Sequence, residues 1–138
     1  LSLLRPAAEG PCVVVCNTCR VSEQDRETAE GVRGGAVLAG ELRSLVEDDP
    51  RFAALAIEEM PCLFNCAQHC SIHLRAPGKI GYVLGRFEPT AEAAQAILDY
   101  AVAYAASDEG VVPYRQWPEG VKGHFVVRVP PAGMVVRD

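Results

Sequence analysis

Apolar positions along this chain recur with several different spacings, and each spacing predicts a different element. Cys12-Val-Val-Val-Cys16 is an uninterrupted, mostly β-branched run, which predicts a short buried strand. Ahead of it, residues 1–11 hold two prolines and a glycine and predict an irregular lead-in. Asn17 to Glu30 is rich in Glu, Asp, Arg and Thr and shows no apolar period, so it reads as a loop with at most one helical turn. From about Gly35 the period becomes helical. Leu38, Leu42, Leu45 and Val46 fall on one face, and Asp48-Asp49-Pro50 ends the helix because a residue before proline avoids the α region. Phe52 to Met60, with Leu55 and Ile57 among small residues, predicts a second strand stopped by Pro61. Ser71–Arg75 and Lys79–Leu84 are short apolar runs on either side of Ala76-Pro77-Gly78, a hairpin signature. Thr90 is placed to cap a helix from Ala91 to Ala106, whose expected buried stripe is Ala94, Ile97, Leu98, Ala101, Val102 and Ala105. Beyond Asp108 the chain is rich in proline and glycine, with one strand candidate at Phe125–Val129.

The order is strand, helix, strand, hairpin, helix. A β-α-β start followed by an antiparallel pair and a closing helix is the thioredoxin-like arrangement. The expected fold class is therefore α/β, with a mixed central sheet, flanking helices and an irregular C-terminal tail. At 138 residues the chain is one domain's length, with a core over about 12–107 and an extension over 108–138. No internal repeat or low-complexity linker interrupts it. Leu1 is not an initiator Met, which implies residues upstream, and Leu1–Leu4 is too short for a signal peptide.

Composition narrows the function classes. An apolar share of 49% and a charged share of 22% exclude a disordered chain, a collagen-like fibre and a coiled coil. No apolar run approaches the ~20 residues of a membrane span, so a cytoplasmic protein without membrane partners is expected. A net charge of −5 argues against a nucleic-acid partner and would suit docking to basic faces of other proteins.

Sulfur changes the picture. Of six cysteines, Cys12, Cys16 and Cys19 lie within the first nineteen residues, and Cys62, Cys66 and Cys70 within a nine-residue window. Structural disulfides tend to be scattered, whereas two tight clusters suggest one shared centre. Cys16-Asn-Thr-Cys19 follows the first strand, and Cys62-Leu-Phe-Asn-Cys66 follows the second. Parallel strands of a β-α-β unit end at the same sheet edge, so both pairs project from one rim, where open α/β sheets build their sites. Four thiolates there suit a 2Fe–2S cluster or a tetrahedral zinc. A dithiol oxidoreductase using Cys16 and Cys19 is the rival, but it gives Cys62 and Cys66 no task. Cys12 shares a strand face with Val14 and Cys16 and is expected to be a small buried hydrophobe. Cys70 continues the four-residue step from Cys62 and Cys66. It is read as a nearby sulfur, an alternative ligand, or the first core residue of the next strand.

His69 follows Cys66 by three residues, but no histidine accompanies Cys16 or Cys19, so a Rieske pattern is absent. His69 and His73 are expected at the surface or behind the ligands, and His124 has no assigned role. Arg20, Arg75 and Lys79 flank the motifs in sequence. An anionic four-thiolate cluster would be stabilised by such cations, although plain solvated charge explains them equally well. No Walker A loop, G-x-S-x-G or H-E-x-x-H occurs.

Cys62 to Cys66, followed by Pro77-Gly78-Lys79 and Tyr82-Val83-Leu84-Gly85, resembles the thioredoxin-like ferredoxins, which carry a Cys-Leu-Gly-x-Cys loop before a hairpin. The chain is more similar still to a bacterial family of predicted metal-binding proteins of unknown function. Cys16 to Arg20, Cys62 to Cys70, Gly78-Lys79, Tyr104 to Ser107, Gly110 to Pro113 and Arg128 to Pro131 carry that resemblance. It implies a thioredoxin-like fold and a 2Fe–2S cluster with Cys16, Cys19, Cys62 and Cys66 as ligands. It also implies an electron carrier rather than an enzyme, passing single electrons from a reductase to an acceptor. Family members often accompany cobalamin-synthesis or metal-handling genes, which implies partners in a corrinoid pathway. A zinc-binding or metal-handling protein is the alternative, and a homodimer stays among the expected assemblies. Three departures from the better-known ferredoxins stand out. The first pair is C-x2-C rather than wider, Cys70 has no counterpart there, and Phe64 replaces the loop glycine.

Overall fold

The computed structural model describes residues 2–138. Strand β1 (Cys12–Cys16) is buried along its whole length, as a β-branched run with no polar member requires. Helix α1 (Gly34–Asp48) follows after a long loop, then β2 (Ala56–Met60). The hairpin of β3 (Ile72–Arg75) and β4 (Gly81–Leu84) comes next, then α2 (Ala91–Ala106) and β5 (Phe125–Val129). The sheet order is β2-β1-β3-β4-β5. β1 and β2 are parallel and the other pairs antiparallel.

The period-2 alternation divides the sheet into two faces. Val13 and Val15 of β1, Ile72 and Leu74 of β3, and Leu84 of β4 are buried in one core with Leu38 and Leu42 of α1 and Ile97, Leu98 and Ala101 of α2. Both helices therefore cover the same face. Cys12 and Val14 point the other way, paired across the strand with Arg75 and His73.

Three elements differ from the sequence expectation. The second strand begins at Ala56, not Phe52. Pro50–Phe52 forms a 3-10 turn whose Arg51 N–H donates to the Asp49 carboxylate at 3.0 Å, and Phe52 is fully buried. Asp-Pro is a strong turn opener, and here it outweighs the strand pattern behind it. In α2, Val102 and Ala105 are only half-buried, whereas Tyr100 and Tyr104 lie in the core. The Tyr100 ring packs on Trp117 and Phe125, the Tyr104 ring meets Tyr82 of the hairpin, and the Tyr104 hydroxyl donates to the Ile80 carbonyl at 2.6 Å. A buried phenol needs such a partner, and an apolar count along the helix does not reveal one. In the C-terminal stretch the expected strand Phe125–Val129 forms as β5; the difference is that it extends the sheet and joins the core, with Val112 and Val121 buried and Phe125 packed on Trp117 at 4.5 Å between ring centroids. Thr90 caps α2 as expected, its hydroxyl accepting from the Ala93 N–H at 3.2 Å.

The start of α1 is fixed by close approach. A Cβ at Gly35 would lie 1.8 Å from the Cys16 carbonyl oxygen, and one at Gly34 would lie 2.3 Å from that of Arg20. The helix end thus sits directly on the first cysteine loop. Gly35→Ala is expected to destabilise the fold by about 1–3 kcal/mol through overpacking. Gly40→Ala, on the same helix with nothing within 4 Å of its Cβ position, is expected to stabilise it by up to about 1 kcal/mol. Denaturant unfolding of the two variants checks the contrast, and equal effects would contradict this account of Gly35.

Candidate metal centre

The parallel register pairs Cys16 with Met60, so both strands deliver their following loops to one edge. Asn17 N–H donates to the Met60 carbonyl at 3.0 Å, and Cys62 N–H donates to the Thr18 hydroxyl at 3.1 Å. Thr18 therefore stitches the two loops together, with its hydroxyl also 3.7 Å from Cys16 Sγ. Gly35 N–H donates to the Cys19 carbonyl at 3.1 Å, and the Arg33 guanidinium to that of Thr18 at 2.9 Å. These bonds position the first cysteine loop against the start of α1.

The thiols associate two by two. Cys16 and Cys19 sit thiol to thiol, and the Cys19 S–H pulls the Cys16 pKa down to about 5, with backbone N–H groups and Thr18 helping against burial. Cys19 is pushed up correspondingly by Cys16 and by burial. One proton is in effect shared, with Cys16 the thiolate. Cys62 and Cys66 form the second pair, in which Cys62 raises the Cys66 pKa. Cys16 also reaches Cys66 through space in the same sense. Among the described residues, no three or more Cys, His, Asp or Glu side chains surround a single ion-sized point.

The Cys62–Cys66 loop departs from ordinary backbone at two positions. Cys62 has φ +55° and Phe64 φ +57°, both left-handed. The residue that replaces a glycine of the Cys-Leu-Gly-x-Cys loop thus adopts a conformation glycine favours, at a cost of roughly 1–2 kcal/mol. The Phe64 N–H donates to Cys62 Sγ at 3.3 Å, and its ring is 95% exposed. Behind the loop, Ser71 is buried, donating to the Gln68 carbonyl at 3.1 Å and accepting from the Asn65 amide at 3.0 Å.

A cavity of about 270 Å³ opens beside the first pair, lined by Cys16, Cys19 and Cys66 with Arg20, Arg26 and Arg33. Arg26 and Arg33 come from the polar loop and gave no sequence signal. Only the fold, which turns that loop back over the cysteines, brings them here. Arg20 is in the lining as its neighbourhood to Cys19 suggests. Arg75 and Lys79 are not, because β3 runs away from Cys70 and carries them to the far end of the sheet.

The remaining sulfurs and histidines fall apart from the four. Cys12 is fully buried at the opposite end of β1. Cys70 is fully buried in the core behind the first pair, its thiol donating to the Arg20 carbonyl at 3.5 Å. Burial and the nearby Cys16 push its pKa up to about 12. His69 is half-buried, His73 lies on the other sheet face, and His124 stacks on Phe87 at 4.4 Å with its Nδ1 2.8 Å from the Gly85 carbonyl.

A mixed sheet covered on one face by two helices, with β1 and β2 parallel and a hairpin beside them, is a thioredoxin-like fold. A thioredoxin-like [2Fe-2S] ferredoxin from Aquifex aeolicus is similar in structure, with a TM-score of 0.54 at 20% identity over 93% of this chain and 100% of the other. A crystal structure of the wild-type thioredoxin-like [2Fe-2S] ferredoxin from Aquifex aeolicus gives 0.50 at 21% identity over 69% and 87%. Residues 13–131 match a family model described as a protein of unknown function, DUF1636, and the chain belongs to that family. No curated protein matches the chain. No helix among the described residues is long and apolar enough to cross a membrane.

Proposed function

We propose that this protein is an electron carrier holding one 2Fe–2S cluster on Cys16, Cys19, Cys62 and Cys66. The observation that supports this reading is the pairing of the thiols. A single zinc ion needs four donors converging on one point, whereas a binuclear cluster takes two protein ligands at each iron. Two separate pairs, on loops that Thr18 joins, suit the second geometry. When bound, the cluster supplies one-electron chemistry.

The chain's own contribution is to present and shield. The Cys19 S–H and nearby backbone N–H groups hold the Cys16 pKa down, which favours the ionised form that a metal binds. Arg20, Arg26 and Arg33 surround the mouth with positive charge, and the start of α1 adds the positive end of its dipole, both of which favour an anionic group there. Partners would be a reductase and an acceptor. Phe64, held outward at the loop tip, is the natural apolar contact for them. The mouth is locally cationic although the whole chain carries −5, so the partner surface that meets it is acidic. Electron supply to a step of corrinoid metabolism is the pathway that the family resemblance favours, with the protein in the cytoplasm.

Protein produced anaerobically with ample iron is expected to carry about two iron and two acid-labile sulfide per chain and to give a spin-half EPR signal when reduced. Stoichiometric zinc without sulfide would overturn the proposal in favour of a zinc or metal-handling protein. Metal-free chain that catalytically reduces protein disulfides through Cys16 and Cys19 would favour the dithiol reading.

A further inference from the structure

The sheet face that the helices leave uncovered carries a second concavity, at the opposite end from the cysteine pairs. Strand β1 alone separates the two by about 13 Å, four strand rises. The concavity measures about 330 Å³, at the lower end of the range for small-molecule sites. Its floor is His73, Arg75 and Gly81 from β3 and β4, and Lys79 from the hairpin turn stands at its edge. Ala8 and the Pro130-Pro131 pair close it on either side.

Its charge is one-sided. In a chain with net charge −5, no Asp or Glu lines this concavity. Among the described residues Arg75 has neither an ion-pair partner nor a side-chain hydrogen bond, and the His73 ring has no hydrogen-bond partner. Both are half-buried. Lys79 donates to the Ser107 carbonyl at the end of α2, which fixes its ammonium beside the cavity. A Cβ at Gly81 would lie 3.0 Å from the His73 Nε2, so glycine there keeps room around the ring. Gly78 and Lys79 of the hairpin turn and Pro130-Pro131 after β5 line the cavity together, and Ser107 holds Lys79.

We propose that this concavity binds a small oxyanion, the carboxylate or phosphate group of a metabolite. The Arg75 guanidinium offers a planar fork matched to either group, Lys79 adds a point charge, and His73 adds a ring nitrogen. The organic remainder of the ligand would lie against the apolar walls of Ala8, Pro130 and Pro131. The site stands independently of the cluster assignment.

The test is an NMR titration of the full chain as purified, with or without bound metal, in about 0.15 M salt, where loosely held ions are screened. Inorganic phosphate is added in one arm and succinate in the other. Saturable one-to-one binding is expected in at least one arm, with shifts centred on the Arg75, Gly78 and Gly81 amides and the His73 ring. Response to phosphate alone identifies a phosphorylated ligand, and response to succinate alone a carboxylate. Arg75→Gln is expected to weaken binding at least about tenfold, as loss of a charge-assisted fork should. Arg115→Gln, at an exposed arginine outside the cavity, leaves binding unchanged. No saturable shift in either arm would overturn the proposal. So would shifts centred on Arg26 and Arg33, a reading that needs no variant to fold.

Discussion

Serine in place of Cys16, Cys62 or Cys66, one at a time, is expected to abolish or strongly deplete visible absorption and iron content, while Cys12→Ser leaves both near the parent value. The two loops that carry the four thiols leave parallel strands at one sheet edge, and Cys12 lies at the other end of β1, fully buried and facing the opposite way from the core. Serine can donate an oxygen, but it is a harder donor at a different bond length, so residual cluster would be weak rather than absent. The effect should also be uneven within the set. Cys16 is the depressed thiol of its pair, so its loss removes the ligand that is ionised before any metal arrives. Cys66 is exposed and its loop is strained at Phe64, so Cys66→Ser leaves the rest of the fold intact and isolates the ligand effect. Iron and sulfide analysis beside far-ultraviolet circular dichroism separates loss of cluster from loss of fold. Parent-level colour in Cys16→Ser, with none in Cys12→Ser, would show that the ligand set is wrong.

Much of this arrangement was legible in the residues. Three valines between two cysteines permit little except a buried strand. Pro77-Gly78 between two short apolar runs permits little except a hairpin, and its Lys79 N–H closes the turn on the Ala76 carbonyl at 3.2 Å. Strand parallelism then follows from one crossover helix, and with it the meeting of the two cysteine pairs. What escaped depended on contacts between segments distant in sequence. The helical period is legible from about Gly35, but the role of Gly34 and Gly35 comes only from the Arg20 and Cys16 carbonyls pressed against them. Arg26 and Arg33 sit in a stretch without periodicity, where no spacing says which way a side chain will face. Tyr100 and Tyr104 are intermediate in hydropathy, and their burial depends on partners in another element, such as Ile80. Phe125 shows the same limit, since a five-residue run after many turns gains its place only by pairing with β4 and stacking on Trp117.

Those same long-range contacts bear on the sulfur that the sequence left open. The regular step through Cys62, Cys66 and Cys70 would suit three ligands on one helix. The segment instead holds a single 3-10 turn at Cys66–Gln68, after which Cys70 turns inward. Its N–H donates to the Phe87 carbonyl at 3.0 Å, fixing the backbone beside the core, and its thiol donates to the Arg20 carbonyl. Cys70 is absent from the lining of the cavity beside Cys16 and Cys66, and its thiol is taken up by the Arg20 carbonyl. The pKa is raised at both cysteines, by burial at Cys70 and by Cys16 and burial at Cys19, so position separates them. Cys19 lies against Cys16 and in the wall of the cavity shared with Cys66. Cys70→Ala is therefore expected to retain the visible spectrum and to cost roughly 1–2 kcal/mol, the loss of a small buried group. Cys19→Ala is expected to lose the spectrum. Reconstituted side by side, the two variants give opposite colours under the alternative ligand set, in which Cys70 takes the place of Cys19. The potential of the Cys70→Ala protein adds a finer measurement, because a thiol dipole behind the first pair tunes the charge that the mouth tolerates even where it binds no metal.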